Sequence, residues 1–199
     1  MVAVRAPFGF KPNRNVLGGT FNPTTVRYRV LGTGRSNSVF PGDPVVRISG
    51  MEVRPLVSPV TASNVDRYVG IVAQCLDTNQ KPLVFSQPTR GPFLPPATAG
   101  FVDVYTDKNN TYWAATDATA SPAVVGTFAI VTAASSGTFN NLVGRSPLCV
   151  NVSDVSATAV ATHAFFVIGP SMTQRDYLTQ NDWTDGVEVR FASSNVLAD

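Results

Sequence analysis

Residues 24–31 read TTVRYRVL, with Val26, Tyr28 and Val30 on one side of an extended chain and Arg27 and Arg29 on the other. Alternation with a period of two marks a half-buried β-strand, because successive side chains of an extended backbone point to opposite faces. Near the other end, DGVEVRF (185–191) repeats it, with Val187, Val189 and Phe191 against Glu188 and Arg190. Between them lie short apolar runs cut by Gly, Pro, Asn and Asp: PVVRIS (44–49), MEVRPLV (51–57), DRYVGIVAQCLD (66–77), PLVFS (82–86), AGFVDVYTD (99–107), YWAATD (112–117), VVGTFAIVTA (124–133), SPLCVNVS (146–153) and THAFFVIG (162–169). No i, i+3, i+4, i+7 stripe persists for three turns, so TASNVDRY (61–68) and SMTQRDYLTQ (171–180) hold a helical turn at most.

The pattern predicts an all-β protein, an antiparallel β-sandwich or barrel of roughly ten short strands, and does not choose between the two. Pro55 suggests an edge or a bulge, because proline cannot donate to a ladder. QPTRGPFLPPA (87–97) predicts an irregular crossing, and PLVFS a strand partnering 66–77. KNNT (108–111) predicts a hairpin turn between its flanking strands. Val26, Tyr28, Val30, Val102, Val104, Phe128, Ile130, Phe166, Ile168, Val187, Val189 and Phe191 are expected to line the core or a subunit interface.

Composition agrees. Of 199 residues, 44% are hydrophobic and 14% charged, where about 25% charged is usual. Lysine and glutamate, the common residues of exposed helices, number three and two, while glycine and proline number 15 each. So little polar cover predicts association, and a homo-oligomer is expected.

The start of the chain differs from the rest. Residues 1–42 hold Arg5, Lys11, Arg14, Arg27, Arg29 and Arg35 and no acid, whereas the remainder holds nine bases and thirteen acids. In APFGFKPNR (6–14), Pro7, Gly9 and Pro12 disfavour a helix or a central strand, yet Phe8 and Phe10 would be wasted in a solvated tail. The expectation is an extended arm, residues 1–23, ahead of a β domain, residues 24–199. In it Arg5, Phe8, Phe10, Lys11 and Arg14 bind a partner. Arg5, Pro7 and Lys11 interrupt any apolar run, so no secretory leader is expected. The apolar stretch 123–134 is too short to span a bilayer as a helix, and no membrane partner is expected.

Chemistry-bearing patterns are sparse. His163 is the one histidine and sits in ATHAFFVIG, a structural setting. GTGRS (32–36) lacks both the third glycine of a dinucleotide loop and the Gly-Lys-Ser/Thr of a phosphate loop. DKNNTYW (107–113) begins like a calcium loop but has Tyr112 where glycine is needed and Ala118 where glutamate is needed. Neither catalysis nor a cofactor nor a metal is expected. A net acidic body argues against nucleic acid as partner. Cys75 and Cys149 are expected to be buried free thiols.

A succession of motifs carries a resemblance: APFGFKP (6–12), FPGDPV (40–45), VGIVAQCLD (69–77) before a proline-rich crossing, AGFVDVYTDKNNTYWAATDA (99–118), VVGTFAIV (124–131), GRSPLCVNVSD (144–154), FFVIG (165–169) and DGVEVRF (185–191). In this order they resemble the capsid decoration, or cement, proteins of tailed bacteriophages. The family usually carries an Asp-Pro and a Phe-Glu pair around 103–113, from which this chain departs. The resemblance implies a non-catalytic β-rich virion protein, made in the host bacterial cytoplasm. It would bind the outer surface of an icosahedral capsid, clamp neighbouring major capsid subunits, and favour a trimer over a dimer. The competing expectation is a head-fibre or receptor-binding module of the same virion, with Trp113 and Trp183 as candidate sugar-stacking residues.

Overall fold

The structure is a computed structural model that describes residues 9–56, 68–84, 92–133, 146–158, 163–170 and 186–192. These residues form twelve strands: β1 (Phe10–Asn15), β2 (Gly19–Thr20), β3 (Thr25–Val30), β4 (Pro44–Ser49), β5 (Glu52–Pro55), β6 (Tyr68–Leu76), β7 (Gly100–Tyr105), β8 (Asn110–Ala114), β9 (Phe128–Ala133), β10 (Leu148–Ser156), β11 (Phe165–Pro170) and β12 (Val187–Phe191). The helix among them is one 3₁₀ turn, Pro122–Val124.

The expected all-β class is present, and both architectures occur together. β3-β5-β4-β6-β7 close into a five-stranded barrel, while β10-β9-β11-β12-β8-β1-β2 form a seven-stranded sheet. The sheet is antiparallel throughout, and the barrel has one parallel pair, Arg29 opposite Glu52 and Val30 opposite Val53. Register shifts at Arg47/Ser49, Val45/Val46 and Val72/Gln74 bend the barrel strands, as closing a small barrel requires. Pro55 lies beyond the point where β3 stops pairing with β5, so its missing N–H costs no ladder bond on that side.

Each unit has its own core. Tyr28, Val30, Val45, Val53, Val72, Cys75, Val102 and Val104 fill the barrel, with Val26 half-buried beside them. Between sheet and barrel, Val46, Leu56, Tyr68 and Ile71 meet Phe10, Tyr112, Phe165, Val167, Val187, Val189 and Phe191. Gly70 marks the tightest approach: a Cβ there would lie 1.9 Å from the Tyr105 carbonyl oxygen.

Four expectations change. First, residues 10–23 are not an arm ahead of the domain: β1 lies between β8 and β2 in the sheet. Proline is accommodated because Phe10 sends its N–H to Gly42 O rather than to β8, and Pro12, two residues on, has its missing N–H on that same side. Second, β7 and β8 are not a hairpin. β7 pairs with β3 and β6 in the barrel and β8 with β1 and β12 in the sheet, so residues 106–109 cross between the two units.

Third, Phe128, Ile130, Phe166 and Ile168, expected in the core or at a subunit interface, do not take the first of those two places. Ala129, Val131, Phe165 and Val167 point inward instead, leaving those four half-buried on the opposite face, where Phe128 and Phe166 pack edge to face at 5.2 Å. Fourth, the expected partner strand PLVFS shrinks, among the residues described, to a bridge of Pro82 with Leu76 and an N–H from Leu83 to Cys75 O.

Candidate partner-binding surface

Of the five expected partner-binding residues, Arg5 and Phe8 lie outside the described residues. The other three sit on β1 with different roles. Phe10 is 1% exposed and stacks on Phe165 with ring centroids 4.6 Å apart. Its apolar surface is consumed inside the protein, so it cannot also enter a pocket on a partner. Phe165 continues through Phe191 to Tyr112, Phe21 and Tyr105 as a chain of ring contacts, with Tyr68 against Phe165 and Phe191.

Arg14 projects from the other face of β1 and makes a two-pronged contact with Glu188 on β12, Nε to Oε1 at 2.8 Å and an Nη to Oε2 at 3.1 Å. The Glu188 hydrogen bond and charge hold the Arg14 guanidinium even more firmly protonated. Arg14 remains mostly exposed while Glu188 is nearly covered, so the pair joins β1 to β12 and still shows a cationic surface. Lys11 is exposed opposite Trp113 of β8.

Beyond β1 the chain turns through Asn15, Val16, Leu17 and Gly18 into β2. A web of amide side chains braces that turn. The Asn15 side-chain oxygen accepts the Leu17 N–H at 3.0 Å, and Val16 N–H reaches Asn109 O at 2.8 Å. Asp107 Oδ2 accepts from Asn22 Nδ2 at 2.8 Å and Asn15 Nδ2 at 3.4 Å, while Asn110 exchanges two hydrogen bonds with the Asn22 backbone. At its apex Leu17 stands 80% exposed with Val16 beside it. Sequence reasoning passed over these two residues, although the Gly-Gly pair after them signals a hairpin turn.

The remaining bases of the acid-free start are matched individually. Arg27 forks onto Asp103 at 2.7 and 3.0 Å, and Gln74 donates to the same carboxylate at 2.7 Å. The Arg27 hydrogen bond is the main cause of the lowered Asp103 proton affinity. Arg29 lies 3.9 Å from Glu52. Arg35 meets no carboxylate among the described residues and instead donates to the carbonyls of Leu31, Asn37, Leu94, Pro95 and Thr98, tying loop 32–38 to the proline-rich segment. Among the described residues, Arg14, Arg27, Arg29 and Arg35 are therefore each held at a separate contact.

Strand edges decide whether the body can bind by β-addition. The barrel is closed, which removes its edges. On β10, Val150 is bridged to Thr116, Val152 N–H goes to the Asp117 carboxylate, and the Asn151 side chain accepts from Ser153 and Asp154. The other side of the sheet ends in β1, with Pro12, and a two-residue β2. Both outer edges are thus largely satisfied or interrupted.

One buried carboxyl stands out near the root of β1. Asp43 is 2% exposed; its Oδ2 accepts the Phe40 N–H at 2.8 Å, and no well-formed hydrogen bond reaches its Oδ1, the Ser146 hydroxyl being the polar group beside it. Burial pushes this carboxyl up to about 7, and the Ser146 hydroxyl and Phe40 N–H only partly offset that. Burial likewise raises both thiols, Cys149 to about 12, so neither is a nucleophile near neutral pH. His163, nearly buried, has Nε2 3.7 Å from Asp154 Oδ1, a setting within the sheet. Comparison of the chain with protein families, characterised proteins and solved structures finds no match.

Proposed function

We propose that this chain is a structural virion protein, a decoration protein that binds the outer surface of an icosahedral phage capsid. There it would strengthen the shell by gripping neighbouring major capsid subunits. The observation that supports the reading best is the fixed root of the N-terminal segment. Phe10 anchors β1 in the core, so the preceding residues, with Arg5 and Phe8, start from a rigid point. A grip held at a fixed root loses less freedom on docking than one on a floating tail.

The correction to Phe10 narrows the binding set. Phe8 takes the anchoring role by burial in an apolar capsid pocket, and Arg5, Lys11 and the exposed side of Arg14 face acidic capsid groups. One buried phenylalanine contributes about 1.5–3 kcal/mol, and each rim ion pair at most about 1 kcal/mol. Useful strength therefore requires several copies acting together, which is why a trimer suits the role. The chemistry is mechanical, without a catalytic step.

The test uses expanded, undecorated shells of the phage that encodes the chain. Deleting residues 1–8, which leaves Phe10 and β1 in place, should lower shell binding at least tenfold, and Phe8→Ala alone should reproduce most of that loss. Arg5→Ala should mainly slow association and weaken its salt dependence. A folded 1–8 deletion that decorates with undiminished affinity removes the N-terminal grip. No binding by the intact chain at micromolar concentration removes the decoration function itself.

A further inference from the structure

The turn FPGDP (40–44) is a node where the two units meet. Gly42 O accepts the Phe10 N–H of β1 at 3.0 Å, and Gly42 N–H donates to Val72 O of β6 at 2.8 Å. Val72 N–H returns to Asp43 O at 2.8 Å, and Asp43 N–H closes the turn on Phe40 O at 3.1 Å. Ser146, wholly buried just ahead of β10, presses on the same place: a Cβ on Gly9 would lie 2.5 Å from Ser146 Cβ and 2.9 Å from Gly42 O. Gly9 itself has φ +69, so both its conformation and its surroundings require glycine.

The Asp43 side chain lies at the centre of this node with one oxygen bonded and one not. A buried ionised carboxylate with an unsatisfied oxygen is costly, whereas a protonated one carries an O–H donor. We propose that Asp43 is a proton-operated latch: neutral, it lets turn 40–43 hold β1 and β6 together, and ionised, it loosens that joint. With Oδ2 taken by the Phe40 N–H, the proton resides on Oδ1, where the nearby Ser146 oxygen can accept it. Ser146 Oγ already accepts the Leu148 N–H at 3.1 Å and has a second lone pair available.

The surrounding charges do not supply another cause. β6 contributes the Cys75 thiol, which stays protonated because burial and Asp43 both raise it; Arg35, from loop 32–38, acts on Cys75 in the opposite sense. β1 presents the Gly9–Phe10 backbone and β10 the Ser146 hydroxyl. Among the described residues no cation contributes to the Asp43 shift, so there ionisation finds no compensating charge. The group therefore binds its proton more tightly folded than unfolded. Its destabilising effect begins above about pH 4, the ordinary carboxyl range, and grows until the folded carboxyl ionises near 7. Above that the penalty is constant and the joint is open more often. The latch concerns the root of the N-terminal segment, and its test does not depend on any capsid.

The full-length protein and Asp43→Asn are compared between about pH 4 and 9 by urea unfolding and by amide exchange corrected for intrinsic rates. The unfolding constant of the wild type should rise by up to about tenfold per pH unit from about 4 to 7, relative to the variant. Phe10 and Val72 amides should lose protection progressively from about pH 4 to 7 and level off above that, in the wild type only. His163, the single histidine, is common to both proteins and cancels in the difference. If Asp43→Asn fails to fold, carboxyl NMR of the wild type decides: a midpoint near 7 supports the latch, and one below about 5 overturns it. Parallel pH profiles for the two proteins, or Phe10 protection that ignores pH, also overturn it.

Discussion

Two aromatic residues at the sheet–barrel contact, Phe10 and Tyr68, show how position rather than residue type sets the worth of a side chain. Both are 1% exposed and both touch Phe165. Phe10 brings only apolar surface, so Phe10→Ala should cost about 3–5 kcal/mol through lost burial and the cavity left behind. Tyr68 brings a hydroxyl with no hydrogen-bond partner among the described residues, and burial raises its proton affinity strongly. Tyr68→Phe keeps the ring and removes the unsatisfied group, so stability should stay level or rise by about 1 kcal/mol. Urea denaturation of the two variants checks both signs. A Tyr68→Phe protein less stable by more than about 1 kcal/mol would mean that the hydroxyl is bonded in solution.

At the scale of elements, β1 illustrates how a poor strand sequence is held by its neighbours. Its Lys11-Pro-Asn-Arg stretch has low β-propensity and a proline, yet it pairs with β8, stacks Phe10 on β11 and forks Arg14 onto Glu188 of β12. The body therefore includes β1 and does not begin at residue 24. Removing residues 1–8 should change the unfolding midpoint little. Removing 1–15 should take away Phe10, the Arg14 pair and the Asn15 brace together, and leave a protein that unfolds with reduced cooperativity or does not fold. Circular dichroism melts of the two truncations check this. Equal melts would return β1 to the status of a loose arm.

For the whole molecule, the two units share one of the two cores, so sheet and barrel should unfold together. Both thiols belong to these interiors: Cys75 lines the barrel and Cys149 is fully buried on β10, and both are free. The native protein should react with a thiol reagent orders of magnitude more slowly than the unfolded chain, which should show both thiols. Fast labelling of one thiol at neutral pH would indicate that its unit opens independently. Outside the cores, Leu17, Val84, Met51, Val125 and Ile48 remain exposed. These are scattered apolar residues, the normal condition of a protein surface, and they do not by themselves define an interface.

Alternation in TTVRYRVL and DGVEVRF made the strands and their buried faces legible from the residues alone, because only one face of each is apolar and a period of two then permits one orientation. FAIV and FFVI carried no such information: both faces are apolar, and the choice fell to packing. Ala129 lies directly opposite Phe165, so turning the small residue inward makes room for the large ring that meets Phe10 and Phe191. The thiols were readable as buried because each sits within an apolar strand run. Barrel closure, the crossing of residues 106–109 between units and the place of β1 were not readable. Each depends on pairings between distant residues, such as Phe10 with Ala114 or Val187 with Ala114, whose cost and gain no short window contains. The same holds at the binding surface. The sequence determined which residues were basic or aromatic, but only the tertiary structure decided that Phe10 belongs to the core, because its apolar surface found a complementary ring within the chain.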